Sequence, residues 1–152
     1  PPLRRIARPD TTFLVTSMMR SVLDEGTGAA ARPAGFTLEA AGKSGTTNDL
    51  RDAWFVGFTP ELLAVVWVGH DDNRALGLSG SQAALPIWTA FMRRALAGHP
   101  NQPFAPPAEG LSVVEIDPDT GKRPLASCPR VIAETFLAGT EPTELCDLHR
   151  YW

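Results

Sequence analysis

The 152 residues are 43% apolar and 20% charged, one domain's worth of chain, long enough to bury about two-thirds of the surface that its unfolded form exposes. A formal net charge of −3 leaves no basic footprint for nucleic acid, which is excluded as a partner. No apolar run approaches the ~18 residues of a membrane span, and PPLRRIARPD at the N-terminus lacks the apolar core and cleavage site of a secretion signal; any export signal or membrane anchor is expected outside this chain.

Residues 11–24, TTFLVTSMMRSVLD, place Leu14, Met18 and Val22 on one row and Val15, Met19 and Leu23 on the next, the stripe of an amphipathic helix. Asp10 after Pro9 predicts its N-cap and Gly26-Thr27-Gly28 its stop. The sulfur-rich stripe reads as core packing. Residues 38–47 predict a short strand, closed by a turn at Asn48-Asp49. Two further strands, 53–58 and 62–69, are joined by Thr59-Pro60-Glu61, a connection short enough to force antiparallel pairing. The second is apolar at nearly every position, which predicts cover on both faces, with Trp54 and Trp67 in the core. Helical periodicity returns over 80–97, with Trp88, Phe91, Met92, Ala95 and Leu96 on one face and Pro86 inside. The order helix, three antiparallel strands, helix predicts an α+β domain, helices packed on an antiparallel sheet, over residues 1–98. Four prolines make 99–110 a semi-rigid linker. Residues 111–152 form a tail segment that opens with SVVEID and a turn at Pro118-Asp119-Thr120-Gly121.

The first strand carries AGKSGTT, residues 41–47. Its GKS would end a phosphate-binding loop only if a glycine stood at position 37, which is Thr37, and only if a helix followed, where NDLRD and a strand follow instead. Lys43 and Lys122 are the only lysines among 14 basic residues. An edge strand offers free N–H and C=O groups to an extended peptide, and Gly45 would let that peptide approach closely.

The run GKSGTTNDLRDAWFVGFTP closely resembles the C-terminal half of the transpeptidase domain of class A penicillin-binding proteins, and the tail FLAGTEPTELCDLH is similar to the tails of some of these bifunctional enzymes. The likeness covers most of residues 9–98 and, more loosely, 111–149. It implies a partial penicillin-binding, serine β-lactamase-like fold of which about three sheet strands lie here. It also implies a serine-type D-Ala-D-Ala transpeptidase on the periplasmic face of the inner membrane, with an upstream glycosyltransferase domain. Its partners would be peptidoglycan stem peptides and β-lactams, and it needs no cofactor and no metal. Carried over by position, Lys43 supplies charge to the proton network and Ser44 and Thr46 hold the substrate carboxylate. Gly45 and Thr47 complete the substrate-binding set with Ser44 and Thr46, and the Thr46 N–H is one oxyanion donor. The S-x-x-K nucleophile motif is absent, since Ala40 and Asp119 stand three residues before the two lysines, and no S-x-N precedes Asn48, Asn73 or Asn101. The chain is therefore expected to be a fragment, inactive alone, that needs the N-terminal half of its transpeptidase domain. A serine β-lactamase-related hydrolase and a non-catalytic peptidoglycan- or β-lactam-binding module are the alternatives.

Arg51 and Asp52 are expected to pair, and His70-Asp71-Asp72 to be solvated at a strand end rather than to bind metal, because neighbours in a strand face opposite ways. For Cys128 and Cys146, zinc would need further ligands, since His149 makes three at most; in an exported protein the even count predicts a disulfide between them.

Overall fold

The computed structural model describes residues 4–150. The chain divides into two compact units, one of residues 16–105 and the other of the first fifteen residues with the segment from Pro106 onward. Helix α1 spans Pro9–Asp24. It starts earlier than its periodicity suggests because proline is suited to the first helical turn. Asp10 is therefore not the N-cap: it lies inside the helix, where its carboxylate is bonded by the Arg8 guanidinium and, at 2.7 Å, by the Thr11 N–H. The expected core stripe is only partly used, with Leu23 fully buried but Met18 57% exposed.

In the larger unit, β1 (Ala41–Thr46), β2 (Ala53–Phe58) and β3 (Leu63–Val68) form an antiparallel sheet in the order β1-β2-β3. The register sets Ser44 opposite Phe55 and Phe55 opposite Val66. Side chains alternate across a strand, so Phe55, Ala64, Val66 and Val68 share the face that packs on the core. The opposite face is open: Trp54 is 40%, Val65 53% and Trp67 44% exposed. This corrects the expectation that both faces of β3 are covered and that Trp54 and Trp67 are core. Their rings meet at 6.2 Å, and Trp67 Nε1 donates to Asp52 Oδ1 at 2.9 Å. An amphipathic ring can so keep its polar edge satisfied at the surface.

Helix α2, Gly80–Ala95, begins at a capping box in which Ser79 and Gln82 satisfy each other's backbone N–H. It presents Ala84, Leu85, Trp88, Thr89 and Met92 to the core, and leaves Phe91, expected on that face, half exposed. Trp88 is the centre of the core. Phe36 meets it edge-on and Phe55 at a tilt, each with ring centroids 5.1 Å away, and its Nε1 donates to the Gly57 carbonyl at 3.2 Å. A β-carbon on Gly57 would lie 2.5 Å from the indole, so only glycine lets the ring sit on the strand.

In the smaller unit β4 (Leu111–Ile116) pairs antiparallel with β5 (Ile132–Leu137). The expected turn follows β4: the Gly121 N–H donates to the Asp117 carbonyl at 2.7 Å, with Gly121 in the left-handed region that favours glycine. The chain then leaves the ladder, and Arg123 bridges in parallel to Leu145. Cys128 and Cys146 are free thiols rather than the expected disulfide. Cys146 Sγ is turned instead toward Asp117 Oδ2, at 2.9 Å.

Replacing Gly57 by alanine is expected to destabilise the chain by about 1–3 kcal/mol through overpacking, although alanine in an open strand position would be neutral or better. Urea unfolding monitored by tryptophan fluorescence measures it, and an unchanged midpoint would show that Trp88 is free to move off the strand.

Candidate functional site

The KSGT residues occupy the second half of β1, which has β2 on one side and no strand on the other among the described residues. Two hydrogen bonds outside the strands establish which backbone groups face the open edge. Thr47 N–H donates to the Asp52 carbonyl at 3.1 Å, and Thr59 N–H donates to the Leu62 carbonyl at 2.9 Å. In an antiparallel ladder the bonding residues alternate. Counting inward from either bond, Ala41, Lys43, Gly45 and Thr47 face β2, while Gly42, Ser44 and Thr46 direct N–H and C=O outward. The Lys43 ammonium agrees with that parity, since it donates to the Ser44 carbonyl at 2.6 Å. The carbonyl must therefore be reachable from the edge.

Side chains follow the same alternation. Ser44 and Thr46 lie on the core-facing side with Phe55, and Lys43 and Gly45 on the side of Trp54. The structure thus brings the two hydroxyls together on one face and returns the lysine to them only by bending it round the edge. Ser44 Oγ shares a hydrogen bond of 2.8 Å with Thr27 Oγ1. Thr46 Oγ1 accepts the Gly80 N–H at 3.0 Å, which satisfies one of the unpaired donors at the N-terminus of α2. A hydroxyl has one proton and two lone pairs, so this bond leaves the Thr46 proton free to donate to an anion. Thr47 is committed differently: its hydroxyl accepts the Asp52 N–H at 2.8 Å and meets Asp52 Oδ2 at 3.1 Å.

The close approach of α2 depends on Gly80, where a β-carbon would lie 2.3 Å from the Trp54 carbonyl oxygen and 2.5 Å from that of Gly45. Gly45 is tight as well, since its β-carbon would stand 3.2 Å from Trp54 Cβ. Thr27 and Gly80 are missing from the sequence-derived set. The signal for Gly80 was the S-x-x-Q of Ser79 and Gln82, which marks a helix start; no local signal links Thr27 to Ser44. Arg51 does not pair with Asp52 but lies 3.6 Å from Asp49 and donates to the Asn73 carbonyl, because Asp52 is already held by Thr47 and Trp67. His70 Nδ1 sits 3.3 Å from Arg74. The one convergent group of potential metal ligands among the described residues is in the tail: Asp117, Cys128, Cys146 and His149.

The chain is similar to known proteins over both of its units. The family described as penicillin binding protein transpeptidase domain matches residues 3–93, and the family described as penicillin-binding protein 1A, C-terminal domain, matches residues 107–151. Penicillin-binding protein 1A of Aquifex aeolicus is 41% identical over 143 residues, 93% of this chain and 19% of its own. Penicillin-binding protein 2D of Bacillus subtilis is 35% identical over 150 residues, 94% of this chain and 21% of its own. The crystal structure of penicillin-binding protein 1A from Haemophilus influenzae superposes with a TM-score of 0.82 at 30% identity, over 93% of this chain and 22% of that one. The chain thus spans about a fifth of the length of the relatives it matches. With the transpeptidase match extending over more than half of its residues, and a KSGT strand at the open edge of an antiparallel sheet, the chain belongs to the penicillin-binding protein transpeptidase family.

Proposed function

We propose that β1 is one wall of a peptidoglycan D-Ala-D-Ala transpeptidase cleft, completed in a longer protein by the serine of an S-x-x-K motif upstream of this chain. The observation that carries the reading is the ladder parity of β1, which turns the Thr46 N–H to the open edge beside a hydroxyl with a free proton and an ammonium. A tetrahedral oxyanion needs a preorganised donor, and an N–H on a paired strand is already fixed in direction.

The reaction divides into two steps. The upstream serine attacks the carbonyl between the two D-alanines of a stem peptide, the terminal D-Ala leaves with a proton, and an acyl-enzyme remains. The amine of a second stem peptide then takes the acyl group and frees the serine. A β-lactam acylates the same serine. In this reading the Thr46 N–H holds the oxyanion in both steps, while the hydroxyls of Ser44 and Thr46 bind the carboxylate of the substrate. Lys43 supplies positive charge to that carboxylate and to the proton network, and Gly45 keeps the approach low. Thr47, bonded twice to Asp52, holds the end of the strand in place. The exposed apolar face with Trp54, Val65 and Trp67 would pack on the rest of the transpeptidase domain. No helix of the described residues is long and apolar enough to cross a membrane; we assign the anchor and a glycosyltransferase domain to the longer protein, at the periplasmic face of the inner membrane.

Because no serine here is followed by a lysine three residues on, the 152-residue chain incubated with a fluorescent penicillin is expected to remain unlabelled. A stoichiometric adduct by mass would place the nucleophile within it and overturn the proposal.

Within the full-length protein two substitutions separate the roles of Thr46. Thr46→Val removes the hydroxyl alone and should mainly weaken apparent affinity. Thr46→Pro removes the N–H as well, and because that N–H faces away from β2 the change breaks no ladder bond. Loss of one oxyanion donor should lower the saturating acylation rate by about a hundred- to a thousandfold. Stopped-flow acylation reads rate and affinity separately, with circular dichroism to confirm folding. A folded proline variant that acylates at the wild-type rate would remove Thr46 from the oxyanion site.

A further inference from the structure

The smaller unit has almost no apolar core. Across residues 106–150 the buried positions are Ile116, Asp117 and Cys146, and two of those three are polar or sulfur-bearing side chains aimed at each other. Asp117 is fully buried, and its Oδ2 receives Cys146 Sγ at 2.9 Å, His149 Nδ1 at 3.0 Å and Thr120 Oγ1 at 3.0 Å. A buried carboxylate in a small unit is normally paired with a cation or coordinates one. No lysine or arginine of the described residues bonds it.

We propose that Asp117 Oδ2, Cys128 Sγ, Cys146 Sγ and His149 Nδ1 bind one zinc ion that holds the tail together. The four ligand atoms all lie within 4.8 Å of one another. Zinc bonds of about 2.0–2.3 Å place tetrahedral ligand atoms roughly 3.3–3.8 Å apart. The observed separations of 2.9 Å for sulfur to carboxylate, 3.0 Å for imidazole to carboxylate and 3.5 Å for sulfur to imidazole are those of the same atoms joined through protons. Zinc replaces the protons: each thiol releases one to solvent as its sulfur binds, and the imidazole binds in its neutral form.

The surroundings suit a metal in three further ways. The Leu125 N–H donates to Cys128 Sγ at 3.2 Å and the His149 N–H to Cys146 Sγ at 3.4 Å, so each sulfur has a backbone donor that would remain in place around a bound metal. His149 turns Nδ1 to the cluster and leaves Nε2 3.7 Å from Asp119 Oδ2, a carboxylate placed to orient the imidazole from behind, as with many metal-bound histidines. Two sulfurs, one nitrogen and one oxygen with four protein ligands describe a closed structural zinc site, not one with an open position for chemistry. The geometry also accounts for the ligand count: the fourth group, Asp117, comes from the end of β4, outside the Cys128–His149 segment.

The test uses the 152-residue chain, reduced, stripped with chelator, and titrated with Co2+ and then Zn2+. One Co2+ per chain is expected, giving tetrahedral ligand-field bands and a sulfur-to-cobalt charge-transfer band that one equivalent of Zn2+ abolishes. Cys128→Ser and His149→Ala should each lose or redistribute these bands. Asp119→Asn, at an exposed position, should keep them and weaken Zn2+ affinity by about 10–100-fold. Absence of any cobalt–sulfur band in the folded wild-type chain would overturn the proposal. So would peptide mapping, without reduction, of protein exported to an oxidising compartment that found Cys128 joined to Cys146 and no metal.

Discussion

Helix α2 can lie against the sheet only because one residue beneath it, Gly57, and the first residue of the helix itself, Gly80, have no side chain. Trp88 occupies the space where Gly57 would carry a β-carbon, and Gly80 fits where one would strike the Trp54 carbonyl. The first contact sets the depth of the helix and the second sets where its N-terminus arrives. That arrival point is the Thr46 hydroxyl, so the polar geometry of the β1 edge is fixed from the core outward. Phe36 and Phe55 hold the indole from two sides at 5.1 Å; edge-on and tilted aromatic pairs of this kind are directional as well as apolar.

A second constraint runs through the sheet. The Thr59–Leu62 turn decides which residues of β2 bond β3, and alternation then decides which remain to bond β1. The far end of that chain of reasoning is the direction of the Thr46 N–H. A one-residue slip at the hairpin would turn Ser44 and Thr46 inward and present Lys43 and Gly45 to the edge, and it would also move Gly57 out from under Trp88. Register, core packing and edge chemistry are therefore one specification, and the Thr47–Asp52 bond repeats it from the other end of β1.

Periodicity and turn residues were enough to place both long helices and the first three strands, because those signals are local. They failed where burial depends on what comes from elsewhere. Trp54 and Trp67 are as apolar as Phe55, and only the register tells which side of the strand meets α2. Phe91 lies close to Trp88 on the helical wheel, but the helix is turned so that Leu85 and Met92 flank the indole instead. The KSGT run was legible as a motif, whereas its partners Thr27 and Gly80 are 17 and 34 residues away from the hydroxyls they meet and leave no spacing to read. Asp117 was hidden for the same reason: it stands 29 residues before Cys146, in what reads as an ordinary hairpin turn.

The two units also differ in what makes each cohere. In the larger one an indole surrounded by apolar side chains supplies burial, and single losses are shared among many contacts. In the smaller one the two-stranded ladder is too short to be stable without further support, and the buried centre is a hydrogen-bonded carboxylate. The Cys146 thiol, with the Asp119 N–H, the Thr120 hydroxyl and His149 behind it, holds the Asp117 carboxyl down at about 2 against the opposing effect of burial. Asp117 is therefore a carboxylate at neutral pH, an acceptor with every neighbour arranged as a donor. Such a network is cooperative and exacting: with all its partners it selects one conformation, and with one removed it leaves a buried charge with too few donors. A unit of this size without a large apolar core requires a cross-link of some kind, and two of the side chains able to supply one, Cys146 and His149, are among those that satisfy Asp117.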